Sequence, residues 1–339
     1  MINKKKLLFV SNTSSEKINH ILDAFLNKSD LIVKTEYLWV GERISTFITK
    51  VFEKLKIPLD TDRLNKRVLD AVENFKPDIV FIVKGNNIYP STLKTIRKND
   101  NIKLISWSQD DMYAKHNRSI YYTKGIGYYD LVVTQKSYNV KELMNIGAKS
   151  VLFQNKAYSK KWHKPYSGAE QKTDVLFIGH AEKIRFEELS YLAENGIKID
   201  VFGSGWNSKE YKHHHNNLNI TSAYLEGEQY ARAIASSKIS LCFLRKVNRD
   251  LQTSRSIEIP ACGGFMLAER TDEHKVLFEE GEEAVYFGDK VELLDKINYF
   301  LEHEGERLTV AKNGRNRVLA SDYSYDARIE HILETIYES

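Results

Sequence analysis

Hydrophobic positions in this chain fall into two kinds of stretch, which take turns along its length. Short β-rich apolar runs predict strands at Leu7 to Val10, Ile32 to Val40, Ile79 to Val83, Leu104 to Trp107, Leu131 to Thr134 and Ser150 to Phe153. Between them, a period near 3.6 predicts helices at Glu16 to Leu26, Arg43 to Leu55, Thr61 to Phe75, Pro90 to Arg97 and Ser137 to Ile146. Pro90 stands at the opening of its helix, where its missing N–H costs nothing. Alternation of this kind specifies a parallel sheet covered by helices.

The pattern dissolves from Gln154 to Lys172, a polar, aromatic and lysine-rich stretch containing Pro165 and Gly168, and then restarts. Asp174 to Ile178, Ile197 to Phe202, Ile239 to Leu244, Phe265 to Ala268 and Ala284 to Phe287 read as strands. Glu182 to Glu194, Gln229 to Ser237 and Ser254 to Ala261 read as helices, the last stopped by Gly263-Gly264. Helices at Val291 to Leu301, Glu306 to Leu319 and Tyr325 to Ile336 finish the chain. At 339 residues, two cores are expected. The boundaries are 1–155 for an N-terminal domain, 156–172 for a linker, 173–322 for a C-terminal domain and 323–339 for a last helix that packs back on the N-terminal domain. Two doubly wound units bind ligands in strand-to-helix loops at the C-terminal ends of their strands.

Composition is globular, with 42% hydrophobic and 28% charged residues. The start of the chain has a short apolar run after Lys4, Lys5 and Lys6, which reads as a strand and not as a signal peptide. No apolar run reaches membrane-spanning length, and the two cysteines, Cys242 and Cys262, lie in apolar sequence as core residues. Cytoplasmic location is therefore expected. Charge is uneven: up to residue 164 there are 29 lysines and arginines against 16 acids, and beyond it 21 against 30. The basic half suggests an anionic partner, such as the inner face of the cell membrane or a charged acceptor, and the alternative is a surface of scattered solvating lysines.

The most informative stretch runs from Arg245 to Gly264. Asp250 and Glu258 are two acids separated by seven residues, and the second lies in a small helix ended by glycine. This segment resembles the nucleotide-sugar signature of GT-B glycosyltransferases, especially the CgeB-like (spore maturation protein) family with its glycosyl transferases group 1 C-terminal domain. The likeness continues through Asp174 to His180, Arg185, Gly203-Ser204-Gly205-Trp206 and Glu279 to Phe287. It reaches Lys76 to Val80 and Trp107 to Asp111 in the first half. The family pattern has glutamate where this chain has Asp250.

The resemblance implies an α/β protein of GT-B architecture, two Rossmann-like doubly wound domains facing a central cleft. It implies an enzyme of the hexosyltransferase type that moves a sugar from a nucleotide-diphosphate-sugar to a hydroxyl of a glycan, cell-surface polymer precursor or lipid-linked acceptor. A UDP-sugar is favoured over GDP- or ADP-sugars as co-substrate, with no further cofactor. Glu258 would hold the ribose hydroxyls and Asp250 the sugar side. A helix opening at Thr253 and Ser254 would aim its amides at the diphosphate, with Arg185, Arg245, Lys246 and Arg255 as cations. Gly179, Gly203 and Tyr224 complete the donor-binding set. Asp110 and Asp111, after a strand of the first domain, are acceptor-side catalytic candidates. Arg255 and Glu258 as surface residues, the glycines as plain turns, and the acidic pair as a loop cap are the structural alternatives.

No Asp-x-Asp motif stands at a strand end, and the adjacent Asp110 and Asp111 diverge, so no catalytic metal is expected. His213-His214-His215 likewise project apart and are not read as a metal site. Similarity to group 1 transferases favours retention of configuration, whereas a base at Asp110 or Asp111 would give inversion. Two other readings stay open: a nucleotide-sugar epimerase of the same fold, and a non-catalytic binding protein. Neither involves nucleic acid.

Overall fold

A computed structural model describes residues 4–11, 15–37, 51–52, 54–166, 172–212 and 215–338. The chain divides into two compact units, residues 1–155 with 325–339, and residues 156–324. The first contains β1 (Lys5–Ser11), α1 (Glu16–Leu26), β2 (Leu31–Tyr37), α2 (Leu64–Phe75), β3 (Ile79–Val83), α3 (Pro90–Ile96), β4 (Lys103–Ser108), α4 (Ile120–Gly125), β5 (Leu131–Thr134), α5 (Asn139–Asn145) and β6 (Val151–Phe153). The second contains β7 (Thr173–Ile178), α6 (Lys183–Glu194), β8 (Ile199–Phe202), β9 (Leu218–Thr221), α7 (Gly227–Ala235), β10 (Ser237–Cys242), α8 (Ser254–Ala261), β11 (Met266–Glu269), α9 (Asp272–Leu277), β12 (Val285–Phe287), α10 (Lys290–Glu302) and α11 (Glu304–Ala320). The last helix, α12 (Tyr325–Glu338), is part of the first unit.

Each unit carries one parallel six-stranded sheet. Their orders are β2-β1-β3-β4-β5-β6 and β12-β11-β10-β7-β8-β9. Parallel strands are stable only when both faces are covered, and β3, for example, is buried at every residue. In the first unit, one face is closed by Val68, Leu93, Tyr122, Ile126 and Leu143, which pack against Leu8, Val80 and Leu104. The other face stacks Phe9 on Phe81, ring centroids 5.7 Å apart, with Phe25 of α1 edge-on to Phe81 at 4.9 Å. Helix α12 lies beside α1: Asn27 Nδ2 donates to Asp326 at 3.2 Å, Lys28 pairs with Glu330, and the His20 and Tyr325 rings meet at 5.6 Å.

Several expectations shift for physical reasons. Edge strand β9 and the short helices α4 and α9 were not expected. Leu-Asn-Ile-Thr has one fully buried residue, because an edge strand is half solvated. Strand β10 begins two residues earlier than expected, at Ser237, whose buried hydroxyl donates to Ile234 O. The expected helix Arg43–Leu55, the end of the strand expected to reach Val40, Gly168 in the linker, and His213 and His214 lie wholly or mostly outside the described residues. Basic residues of the first unit are partly engaged: Arg67 pairs with Asp62 at 3.2 Å and Glu36 at 3.4 Å, and Arg97 with Asp130 at 3.0 Å. No helix among the described residues is long and apolar enough to cross a membrane.

Helix α11 rests on the connection from α9 to β12 and on α8, and Gly314 allows the contact. A Cβ there would stand 2.3 Å from Glu283 O and 3.6 Å from Pro260 Cβ of α8. Gly314→Ala gains helix propensity of about 1 kcal/mol, but the overpacking costs about 1–3 kcal/mol. The variant is expected to unfold at lower denaturant than the parent. An equal or higher midpoint would show that the contact relaxes freely.

Candidate functional site

In the second sheet, strand order reverses between β7 and β10, so their C-terminal ends form the switch point at which doubly wound sheets bind ligands. Arg255, in the first turn of α8, joins the two ends. Its Nη1 donates to Ile178 O at 2.9 Å and its Nη2 to Phe243 O at 3.0 Å. Its guanidinium also lies 5.4 Å from the Phe177 ring centroid. Two of its nitrogens thus donate to main-chain carbonyls, which gives Arg255, expected from the sequence as a phosphate ligand, an anchoring role at the strand ends.

Arg185, from α6, reaches the same ring at 5.7 Å and donates through Nη1 to His180 O at 2.9 Å. It is almost fully buried. Burial, followed by repulsion from Arg255, lowers its pKa to about 10. Two guanidinium groups crowded in this way favour an anion nearby. Glu182 supplies part of that charge, 3.5 Å from Arg185 and 3.0 Å from Arg245. Lys246 pairs with Glu269, whose other oxygen accepts from Leu244 N at 2.6 Å. Arg185, Arg245 and Lys246 are thus each paired with a carboxylate, whereas Arg255 is held by carbonyls. Glu188, one turn beyond Arg185, is pushed up to about 7, first by burial and then by Glu269.

The loops after β7 and β8 are locked together at their glycines. A Cβ on Gly203, whose φ is +142°, would lie 2.0 Å from Gly179 O, and a Cβ on Gly179 would meet Phe177 Cζ at 2.6 Å. Trp206 Nε1 donates to that same Gly179 O at 2.8 Å. Gly203 therefore allows close packing of one loop on the other, and Gly179 leaves room for the Phe177 ring and Arg255. On this platform His180 Nδ1 and Ser204 Oγ are 2.8 Å apart, and Ser204 Oγ lies 3.4 Å from the hydroxyl of exposed Tyr224.

Helix α8 begins in a capping box. Thr253 N donates to Ser256 Oγ at 3.0 Å, while the Thr253 side chain accepts from Ser256 N. This gives Thr253 a capping role, and Ser254 beside it is buried. Ser256 Oγ also lies 2.7 Å from His274 Nε2, and His274 Nδ1 is 2.7 Å from Glu269 O. A carbonyl only accepts, so Nδ1 carries the proton and Nε2 accepts from Ser256. His274 is fully buried against Tyr286, and burial lowers its pKa. Asp250, in the loop before α8, accepts from Asn248 Nδ2 at 2.8 Å.

Glu258 is on the second turn of α8 with only 5% of its surface exposed. Tyr230 of α7 donates its hydroxyl to Glu258 Oε2 at 3.0 Å. Sequence reasoning missed Tyr230, Glu182, Glu269 and His274. Only Glu182 left a local signal, its spacing three residues before Arg185.

In the first unit, Asp111 is completely buried. Its Oδ1 accepts from Tyr113 N and Ala114 N, both at 3.1 Å, and from Asn139 Nδ2 at 2.9 Å. Such bonds give Asp111, expected from the sequence as an acceptor-side candidate, a part in holding its loop. Asp110 is partly exposed and pairs with Lys84 at 2.5 Å. Lys84 has φ +61°, a left-handed conformation uncommon outside glycine. Among the described residues, no group of three His, Cys, Asp or Glu side chains is placed to hold a metal ion.

The fold is that of the GT-B glycosyltransferases. The chain aligns over 99% of its length with all of sucrose-phosphate synthase from Thermosynechococcus elongatus, at 10% identity and a TM-score of 0.70. It covers 98% of its length and all of HepE from Anabaena, solved with UDP-glucose, at 12% identity and a TM-score of 0.66. A glycosyltransferase from Rickettsia africae matches over 99% of this chain and 98% of its own, at 13% identity and a TM-score of 0.67. Residues 185–334 match the glycosyl transferase-like family model. No curated relative matches the sequence.

Neutral, buried His274 makes stability depend on pH. Its folded pKa lies below the unfolded value of about 6.5. The unfolded chain thus binds more protons in this window, and stability falls as pH drops below about 6.5. Denaturant titrations from pH 7.5 to 5.5 are expected to show a shallower fall for His274→Gln than for the parent. Equal slopes would remove His274 from the acid sensitivity.

Proposed function

We propose that the protein is a metal-independent glycosyltransferase that binds a nucleotide-diphosphate-sugar in its second unit, in the manner of the CgeB-like family. The observation that carries this reading is the cluster at the ends of β7 and β10. Within or beside the segment matched by the glycosyl transferase-like model, Arg185, Arg245 and Lys246 gather around the start of α8, and Glu258 lies one turn further on.

Breaking a glycosyl–phosphate bond leaves added charge on a nucleoside diphosphate. Here the cations and the helix N-terminus would receive it. Arg245 and Lys246 are exposed and held only by Glu182 and Glu269, so a diphosphate can exchange for those carboxylates. Glu258 would accept from the ribose hydroxyls: a carboxylate has about four acceptor positions, and Tyr230 takes one. Asp250 is the sugar-side candidate in the loop before α8. The UDP-glucose complex of HepE supports a uridine donor by analogy. On the acceptor side, Asp110 with Lys84 can offer both an acceptor and a donor to a glycan hydroxyl. Retention of configuration follows if stabilisation of the leaving diphosphate dominates.

Glu258→Ala should weaken binding of the cognate nucleoside diphosphate by about 1.5–3 kcal/mol, roughly tenfold to a hundredfold. Calorimetry with UDP, GDP and ADP measures this, and unchanged affinity in a cooperatively folded variant would remove Glu258 from the site. Turnover of the donor should also survive exhaustive EDTA treatment, since arginine, lysine and the helix start replace a divalent cation. Loss with EDTA and rescue by manganese would overturn that part of the proposal.

A further inference from the structure

Tyr230 is buried in α7, and its hydroxyl donates to Glu258 Oε2 at 3.0 Å. Its ring also packs against His163, edge-on at 5.6 Å. His163 is buried in turn and accepts from Ser159 N at 3.0 Å. Gly227, at the start of α7, has a φ of +52°, and a Cβ there would sit 3.5 Å from Trp162, so the 159–163 segment packs closely along the helix. A glutamate has three side-chain torsions, and an unheld carboxylate samples several rotamers. Burial and the adjacent carboxylate raise the phenol pKa, so Tyr230 remains a proton donor throughout the neutral range.

We propose that Tyr230 is a positioning residue that fixes the plane of the Glu258 carboxylate, and thereby sets discrimination between ribonucleotides and 2′-deoxyribonucleotides. The inference rests on the reading of Glu258 as the ribose acceptor. A carboxylate whose Oε2 is fixed by the phenol presents its plane in one geometry, which suits two vicinal hydroxyls better than one. The ligand it selects is a ribonucleoside diphosphate. Loss of the phenol removes this constraint on Oε2, and the ribose diol loses more than a sugar with a single hydroxyl.

The test compares Kd values of UDP, ADP and GDP with those of their 2′-deoxy forms, for the parent, Tyr230→Phe and Glu258→Gln. Melting of each free protein reports its folding. The parent should prefer the ribo form of its cognate nucleotide by about tenfold or more. Tyr230→Phe should keep a folded protein and cut that preference severalfold, chiefly through weaker binding of the ribo form. Glu258→Gln should bring the preference close to one. If Glu258→Gln abolishes the preference and Tyr230→Phe leaves it intact, the positioning role is wrong and the ribose reading stands. A preference unaffected by Glu258→Gln, or a parent that binds none of the six nucleotides, overturns the ribose reading and the positioning role with it. Equal proportional losses for ribo and deoxy forms in Tyr230→Phe would make Tyr230 a packing residue only.

Discussion

Two strands that run side by side in a parallel sheet end with unpaired carbonyls, and at the strand-order reversal the chains leave in opposite directions. In the second sheet Arg255 resolves this by donating to Ile178 O of β7 and to Phe243 O just past β10. Because Arg255 is itself in the first turn of α8, the same side chain that ties the strand ends fixes where the helix begins. The face of Phe177 lies against both Arg255 and Arg185, so the two guanidinium groups share one apolar wall. The placement of Glu258, a turn further along α8, follows from that anchor. A planar group with five donors can make such a tie, whereas lysine would supply a single point charge.

A helix start at such a place must have its own amides satisfied and still leave an electropositive end. The Thr253–Ser256 box satisfies two of them, and His274 behind Ser256 keeps the hydroxyl oriented. A charged imidazole here would place a buried cation behind the helix start, and burial keeps it neutral. Further out, Arg245 and Lys246 are exposed, and Glu182 and Glu269 hold them in the absence of an anion. Exposed pairs of this kind are worth little individually. A diphosphate, with more charge and more acceptor oxygens, competes well with a single carboxylate. On the proposed reading, the paired state is a preorganised resting arrangement for the donor diphosphate.

The first unit meets the same topological problem differently. Its order reverses between β1 and β3. After β3 the chain turns sharply through Lys84 and Gly85, both at positive φ, and Lys84 is carried to Asp110 beyond β4. A non-glycine residue in that conformation costs on the order of 1 kcal/mol and persists where the surroundings over-determine it. Asp111, next in sequence, goes inward to three hydrogen bonds that shape the loop. Adjacent acids thereby divide the work, one structural and one facing outward.

The sequence by itself determined the alternation of strands and helices, the break near residue 155, and the interest of the Arg245–Gly264 segment. Hydrophobic periodicity and glycine stops are local, and local patterns survive without knowledge of neighbours. Edge strand β9 escaped because a half-solvated strand has no continuous apolar run, and short α4 and α9 because fewer than two turns carry no period. Tertiary structure alone decided what the charged residues do. Arg255 and Arg185 read alike as cations and both donate to main-chain carbonyls, but only the approach of β7 to β10 reveals that Arg255 ties two strand ends together. Tyr230 and His274 carry no signal in the sequence, since their partners, Glu258 and Ser256, lie 28 and 18 positions away. A hydrogen bond across such a separation depends on the packing of helices that spacing along a chain does not encode.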